Sequence, residues 1–152
     1  MKTQLRPTGL KHQDLTASIL EAAIEVHRAL GPGLFESAYC ACLDMELSIR
    51  RIRFAREVPI SIRYRDRCID SVYRADFIVA EKVILEVKAV ASLERVHEAQ
   101  LRTDLKLTGL EVGMLMNFNT LSLRKGLRRI GHNHAPSTLI NLPELPNLPD
   151  LL

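Results

Sequence analysis

Apolar positions set the outline of this chain. Ile19, Ala22, Ala23, Val26 and Leu30 recur at the three-and-four spacing of an amphipathic helix, with Asp14 as the expected N-cap and Gly31-Pro32-Gly33 as the stop. A second helix is expected from about Leu34 to Arg51, with Phe35, Ala38, Cys42, Met45 and Ile49 along its buried side. So short a connection predicts an antiparallel helix pair. From Glu57 the period drops to two: Val58, Ile60, Ile62 and Tyr64 alternate with Pro59, Ser61, Arg63 and Arg65, the pattern of a half-buried strand, and Pro59 puts that strand at an edge or at its own start. Strands follow at Cys68 to Val79 and Val83 to Val90, then a helix capped by Ser92, running to about Thr108 and closed by Gly109. Val112 to Asn117 and Leu127 to Ile130 complete the set. This order predicts an α/β domain, bordering on α+β, with a central mixed sheet flanked by helices.

Outside residues 14–134 the pattern changes. Residues 1–13 have no periodicity, contain Pro7 and Gly9, and read as a lead-in. Residues 135–152 form a tail in which Leu139, Leu142, Leu145, Leu148 and Leu151 recur every third position around Pro143, Pro146 and Pro149. Polyproline II has three residues per turn, so these leucines would line one stripe. The stripe would dock on its own domain or on a neighbouring copy, which suggests a homo-oligomer, or else the tail is disordered.

The 152 residues, 47% hydrophobic and 26% charged, suffice for one domain with a core and exclude collagen-like, wholly disordered and disulfide-scaffold chains. No apolar run approaches the ~18 residues of a membrane span, and no secretory h-region follows Met1, so a cytoplasmic protein without membrane contact is expected. Cys40, Cys42 and Cys68 make no C-x-x-C pair; they fit a reducing compartment, offer no zinc framework, and read as small apolar filler.

Net charge is only +3, but its distribution is uneven. Arg50, Arg51, Arg53, Arg56, Arg63, Arg65 and Arg67 face only Glu57 and Asp66 in the same stretch, and Arg124, Lys125, Arg128 and Arg129 form a second cluster. Arginine forks match phosphate oxygens, so the first cluster is a candidate nucleic-acid grip; the alternative is a charged, solvated strand edge.

The candidate chemistry lies between Arg74 and Lys88. A hairpin centred on Glu81 sets Asp76 opposite Glu86, with Lys88 on the same face. Two carboxylates at ~5 Å repel by roughly 3 kcal/mol at an effective dielectric near 20, and one lysine offsets only part of that. A divalent cation removes the conflict, and hard oxygen donors suit Mg²⁺ or Mn²⁺, with the Val87 carbonyl as a further ligand. The alternative is a cross-strand Asp/Glu/Lys ladder on a solvated face.

Asp76 with Glu86-Val87-Lys88 resembles the D…(D/E)-x-K signature of the PD-(D/E)XK nuclease-like superfamily. Upstream, Gly33-Leu-Phe-Glu36-Ser-Ala-Tyr39 is similar to the G-x-x-E-x-x-Y pattern of the bacterial GxxExxY proteins, preceded by Val26-His-Arg-Ala-Leu-Gly-Pro-Gly33. His97-Glu-Ala-Gln100 and the Gly113 to Phe118 run extend the resemblance over about Leu15 to Arg129. It implies that Asp76 and Glu86 hold Mg²⁺ and that Lys88 activates or positions the attacking water. Gly33, Glu36 and Tyr39 share one helix face by their three-residue steps, which would bring Glu36 over the sheet. Otherwise Glu36 is a helix-start glutamate and Tyr39 a core-edge tyrosine. Related RecB-like nucleases carry Q-x-x-x-Y on the following helix, where this chain has Gln100-Leu-Arg-Thr-Asp104. Asp104 then either recruits cation or water, or marks an altered activity.

His132-Asn133-His134 lacks the spacing of an HNH nuclease, His27 and His97 read as satisfied helix histidines, and no phosphate-binding P-loop motif is present. The expected function is therefore Mg²⁺-dependent hydrolysis of phosphodiester bonds in DNA or RNA, with Glu36 and Gln100 completing the shell around Asp76, Glu86 and Lys88. The other reading is a non-catalytic nucleic-acid-binding or assembly module that keeps the nuclease fold.

Overall fold

A computed structural model describes residues 11–131, with the backbone alone at 71 and 72; the Leu/Pro tail and His132 to His134 lie outside the described residues. Helices α1 (Gln13–Leu30) and α2 (Glu36–Ile49) precede strands β1 (Phe54–Tyr64), β2 (Arg67–Val79) and β3 (Val83–Lys88). Helix α3 (Arg95–Thr108), β4 (Val112–Asn117), a 3-10 turn (Leu123–Gly126) and β5 (Leu127–Gly131) follow. The five strands lie in chain order in one sheet. All neighbours are antiparallel except β3 and β4, which are parallel because α3 carries the chain back between them. Pro59 lies on the edge strand β1, where a missing N–H donor is tolerated. Among the described residues, no helix is long and apolar enough to cross a membrane.

The sheet separates two cores. One, against α1 and α2, gathers Ile19, Val26, Tyr39, Leu43 and Leu47 on Phe77, Leu85, Val87 and Met114. The other, against α3, gathers Leu101 and Leu105 on Val58, Ile60, Ile78, Ile84 and Leu115. Strands β3 and β4 are covered on both faces, which explains their nearly continuous apolar sequence. Helix α3 packs so closely that a Cβ at Gly113 would stand 2.7 Å from Leu101 Cδ1.

Several local expectations are corrected. Helix α1 is preceded by His12 in a left-handed conformation (φ 56°), and Asp14 lies in the first turn instead of at the cap. Glu94, not Ser92, caps α3, in a reciprocal pair with His97, whose Nδ1 accepts the Glu94 N–H at 2.9 Å. Strand β3 stops at Lys88, two residues short of Val90. Cys68 is exposed, so the filler reading fits Cys40 and not Cys68.

The largest correction concerns α2, which buries Tyr39, Cys40, Leu43 and Leu47 and turns outward the side on which Phe35, Met45 and Ile49 lie. The helix is apolar on both sides, and the side turned to the sheet is the one Tyr39 anchors, through its two hydrogen bonds to the Gly31–Leu34 turn and its stacking on Phe118.

Candidate functional site

Strands β2 and β3 pair Val79 with Val83, Ile78 with Ile84 and Phe77 with Leu85, the register of a hairpin centred on Glu81. Ala80 and Glu81 both take left-handed conformations (φ 51° and 59°) to close it. The described pairing ends there. The next pair would set Asp76 against Glu86, but the Val87 N–H instead donates to Asp76 Oδ2 at 2.8 Å. On its other side, the β1–β2 ladder steps from Arg56/Phe77 to Val58/Ala75, leaving Asp76 and Glu57 unpaired, with Glu57 left-handed (φ 49°). Asp76 therefore stands where β2 parts from β3, its carboxylate in the gap.

Glu86 and Lys88 on β3 and Asp104 on α3 adjoin this gap. Asp104 is only 5% exposed. Burial, then the charges of Asp76 and Asp104, push the Glu86 carboxyl up to about 10. Burial also pushes Asp104 up to about 6; its hydrogen bond with Glu86 acts downward, the Asp76 charge upward and the Lys88 ammonium downward. Glu86 thus feels both Asp76 and Asp104, and the half-buried Lys88 acts on Asp104 in the opposite sense.

Glu86 Oε1 is buried without a hydrogen-bond partner. An orphaned carboxylate oxygen beside uncompensated acids is a donor set that fits a hard divalent cation. Among the described residues, however, no three His, Cys, Asp or Glu side chains are grouped closely enough to hold a metal ion as they stand.

A family model described as the PD-(D/E)XK nuclease superfamily matches residues 13–130, from the start of α1 into β5. This chain belongs to that superfamily. No curated protein and no solved structure matches it significantly. Superfamily members often use a divalent metal, consistent with the chemistry of this gap.

Superfamily membership gives the remaining motif residues a frame. Tyr39 is fully buried; its hydroxyl donates to the Gly31 carbonyl (2.6 Å), accepts the Leu34 N–H (3.2 Å), and its ring stacks on Phe118 at 4.7 Å. Gly33, at φ 103°, supplies a conformation that a side chain would strain. Together they fix the turn that delivers Glu36 to the start of α2. Glu36 itself is exposed, lining an open concavity of about 560 Å³ with Leu34, Phe35, Ser37 and Ala89. One turn on, the Cys40 thiol is raised to about 12 by burial and by Asp76, with smaller upward effects of Glu36 and Glu86. Glu36 thus flanks the carboxylates without joining their hydrogen bonds. Gln100 is exposed one turn before Asp104.

The seven arginines do not form one surface. Arg50 pairs with Glu46 (2.9 Å) and Glu21 (3.5 Å), Arg53 with Glu81 (2.9 Å) and Arg56 with Asp44 (3.2 Å). Arg51 is exposed in a left-handed turn, and Arg63, Arg65 and Arg67 are exposed at the far end of β1 and β2. His27 is satisfied, its Nε2 lying 2.7 Å from the Thr120 carbonyl.

Two residues near the site were absent from the expected set. Asp104 was visible as a departure from Q-x-x-x-Y, but its contact with Glu86 depends on how α3 crosses the sheet. Asn117, 1% exposed, clamps the chain leaving β3: Nδ2 donates to the Val90 carbonyl (2.9 Å) and Oδ1 accepts the Val90 N–H (3.1 Å). Its sequence signal is its place in the Gly113 to Phe118 run, as an amide ending the apolar strand Val112–Asn117.

Proposed function

We propose that this protein is a Mg²⁺- or Mn²⁺-dependent nuclease of the GxxExxY type, acting on phosphodiester bonds. The observation that carries the reading is the orphaned, buried Glu86 oxygen among the Asp76 and Asp104 carboxylates, at the point where two strands part. Asp76, Glu86 and the Val87 carbonyl would hold the cation, which when bound supplies Lewis-acid polarisation of the phosphate and a more acidic water. The hydrogen bond from Val87 N–H fixes Asp76 Oδ2 and leaves Oδ1 for a ligand. Lys88, whose ammonium acts on Asp104, would orient the attacking water and stabilise charge developing on the phosphate oxygens. Glu36 and Gln100 extend the site from either side as solvent-facing polar groups. Full-length protein incubated with single-stranded and duplex DNA and RNA in Mg²⁺ or Mn²⁺ should cleave at least one of them. Cleavage that survives both Glu86→Ala and Lys88→Ala overturns the assignment.

The contact between Asp104 and Glu86 favours a second reading, a non-catalytic nucleic-acid-binding or assembly module, because it engages the other Glu86 oxygen with an acid instead of a metal. That reading expects nucleic-acid binding without turnover in any divalent metal.

A further inference from the structure

Past Asp76 the sheet narrows to two strands. Pairing of β1 and β2 continues through Pro59/Arg74, Ile60/Tyr73, Ile62/Ile69 and Arg63/Cys68 to Tyr64/Arg67, whereas the described β3 pairing stops at Phe77. The result is a two-stranded ribbon about 20 Å long at ~3.4 Å per residue, rooted at the candidate metal site. Residues 59–74 carry Arg63, Arg65, Arg67 and Arg74 against Asp66 and Asp70. Asp70 accepts the Ser61 hydroxyl at 2.8 Å, and among the described residues no ion pair involves any of the four arginines. Opposed residues share a face, so Arg63 and Arg74 lie on one face, Arg67 on the other, and Arg65 in the turn with its guanidinium 5.7 Å from the Tyr64 ring centroid. Tyr64 and Tyr73 are 63% and 38% exposed. Arg50, Arg53 and Arg56, by contrast, are held by carboxylates of their own chain.

We propose that this ribbon is a docking arm for B-form duplex DNA, leading the phosphodiester backbone to the carboxylates at its root, an inference that rests on the nuclease reading. Unpaired arginines on both faces suit a polyanion that flanks the ribbon. The B-form major groove, about 12 Å wide, admits a two-stranded ribbon, whereas the deep, narrow major groove of A-form RNA does not. Arg74, two residues from Asp76, joins the arm to the site.

Fluorescence anisotropy in EDTA separates binding from hydrolysis. The full chain is titrated onto DNA duplex, RNA duplex and single-stranded DNA of one sequence, about 20 nucleotides long, between about 50 and 200 mM salt. The DNA duplex should bind tightest. Replacing Arg63, Arg65, Arg67 and Arg74 by alanine should weaken it at least about tenfold and reduce the salt slope by about 3.6, while Arg50→Ala with Arg53→Ala should bind as wild type. Equal affinity for the RNA duplex overturns the proposal, as does an unchanged slope in a fourfold variant with the wild-type circular dichroism. If that variant fails to fold, Arg65→Ala with Arg67→Ala decides on the same reading, with an expected slope change of about 2. Binding through the arm without cleavage in Mg²⁺ removes the nuclease reading and leaves the arm; cleavage through Glu86 with an indifferent ribbon removes the arm alone.

Discussion

The turn from Gly31 to Tyr39 and the gap between β2 and β3 both carry recognisable motifs, yet their polar groups are treated in opposite ways. In the turn, the Tyr39 hydroxyl both donates and accepts, and the Gly31 N–H donates to the His27 carbonyl at 2.7 Å. In the gap, a buried Glu86 oxygen has no partner, and burial together with neighbouring acids favours proton uptake. A fully satisfied buried network rigidifies, whereas uncompensated charge in a packed environment marks a place that a ligand completes. Much of the GxxExxY pattern is thus scaffolding for one exposed glutamate, and the D…E-x-K residues carry the electrostatic tension.

The sharpest way to break this contrast is Glu86→Ala. Mg²⁺-dependent hydrolysis should fall on the order of 100-fold or more, while the melting temperature holds or rises because one crowded acid is gone. A fall in melting temperature with activity intact would make Glu86 structural. Tyr39→Phe should do the reverse, costing about 2 kcal/mol in urea unfolding because the Gly31 carbonyl and Leu34 N–H lose their partner, with a smaller effect on turnover.

The gap should also reveal itself in pH dependence. Folding raises the Glu86 carboxyl from 4.5 to about 10 and Asp104 from 3.8 to about 6, so the folded chain binds these protons more tightly than the unfolded chain. Their contribution to stability is complete below about pH 4 and is lost as pH rises, through about 6 for Asp104 and about 10 for Glu86. Thermal melts in EDTA should show a decline across that window, which saturating Mg²⁺ flattens; a rise over the same window would reverse the assigned electrostatics. The smallest effect is expected for Glu36→Gln, below about 1 kcal/mol in stability since the side chain is exposed in the first turn of α2. Its Mn²⁺ affinity, read by calorimetry, should nevertheless drop if Glu36 belongs to the shell.

What the sequence could show follows from how local each feature is. Alternating residues around a tight turn determine the β2–β3 register from Val79/Val83 to Phe77/Leu85, so that much is legible in the sequence, whereas the loss of the next pair, Asp76 with Glu86, to a bond from the Val87 N–H is not. The buried face of α2 was not, because apolar residues on both sides left the choice to Phe118 and the sheet. Arginines close in sequence read as one grip, although α2 and the β2–β3 turn supply carboxylates to three of them. Asp104 could be seen as an anomaly, but only the crossing of α3 over β3 makes it a neighbour of Glu86.

Calorimetric titration of Mn²⁺ into the metal-free full chain near pH 7, in two buffers of different ionisation enthalpy, tests the central claim most directly. The account predicts saturable binding with proton release, lost in Asp76→Asn and in Glu86→Gln. No binding by the wild-type chain, or equal binding by both variants, would contradict it.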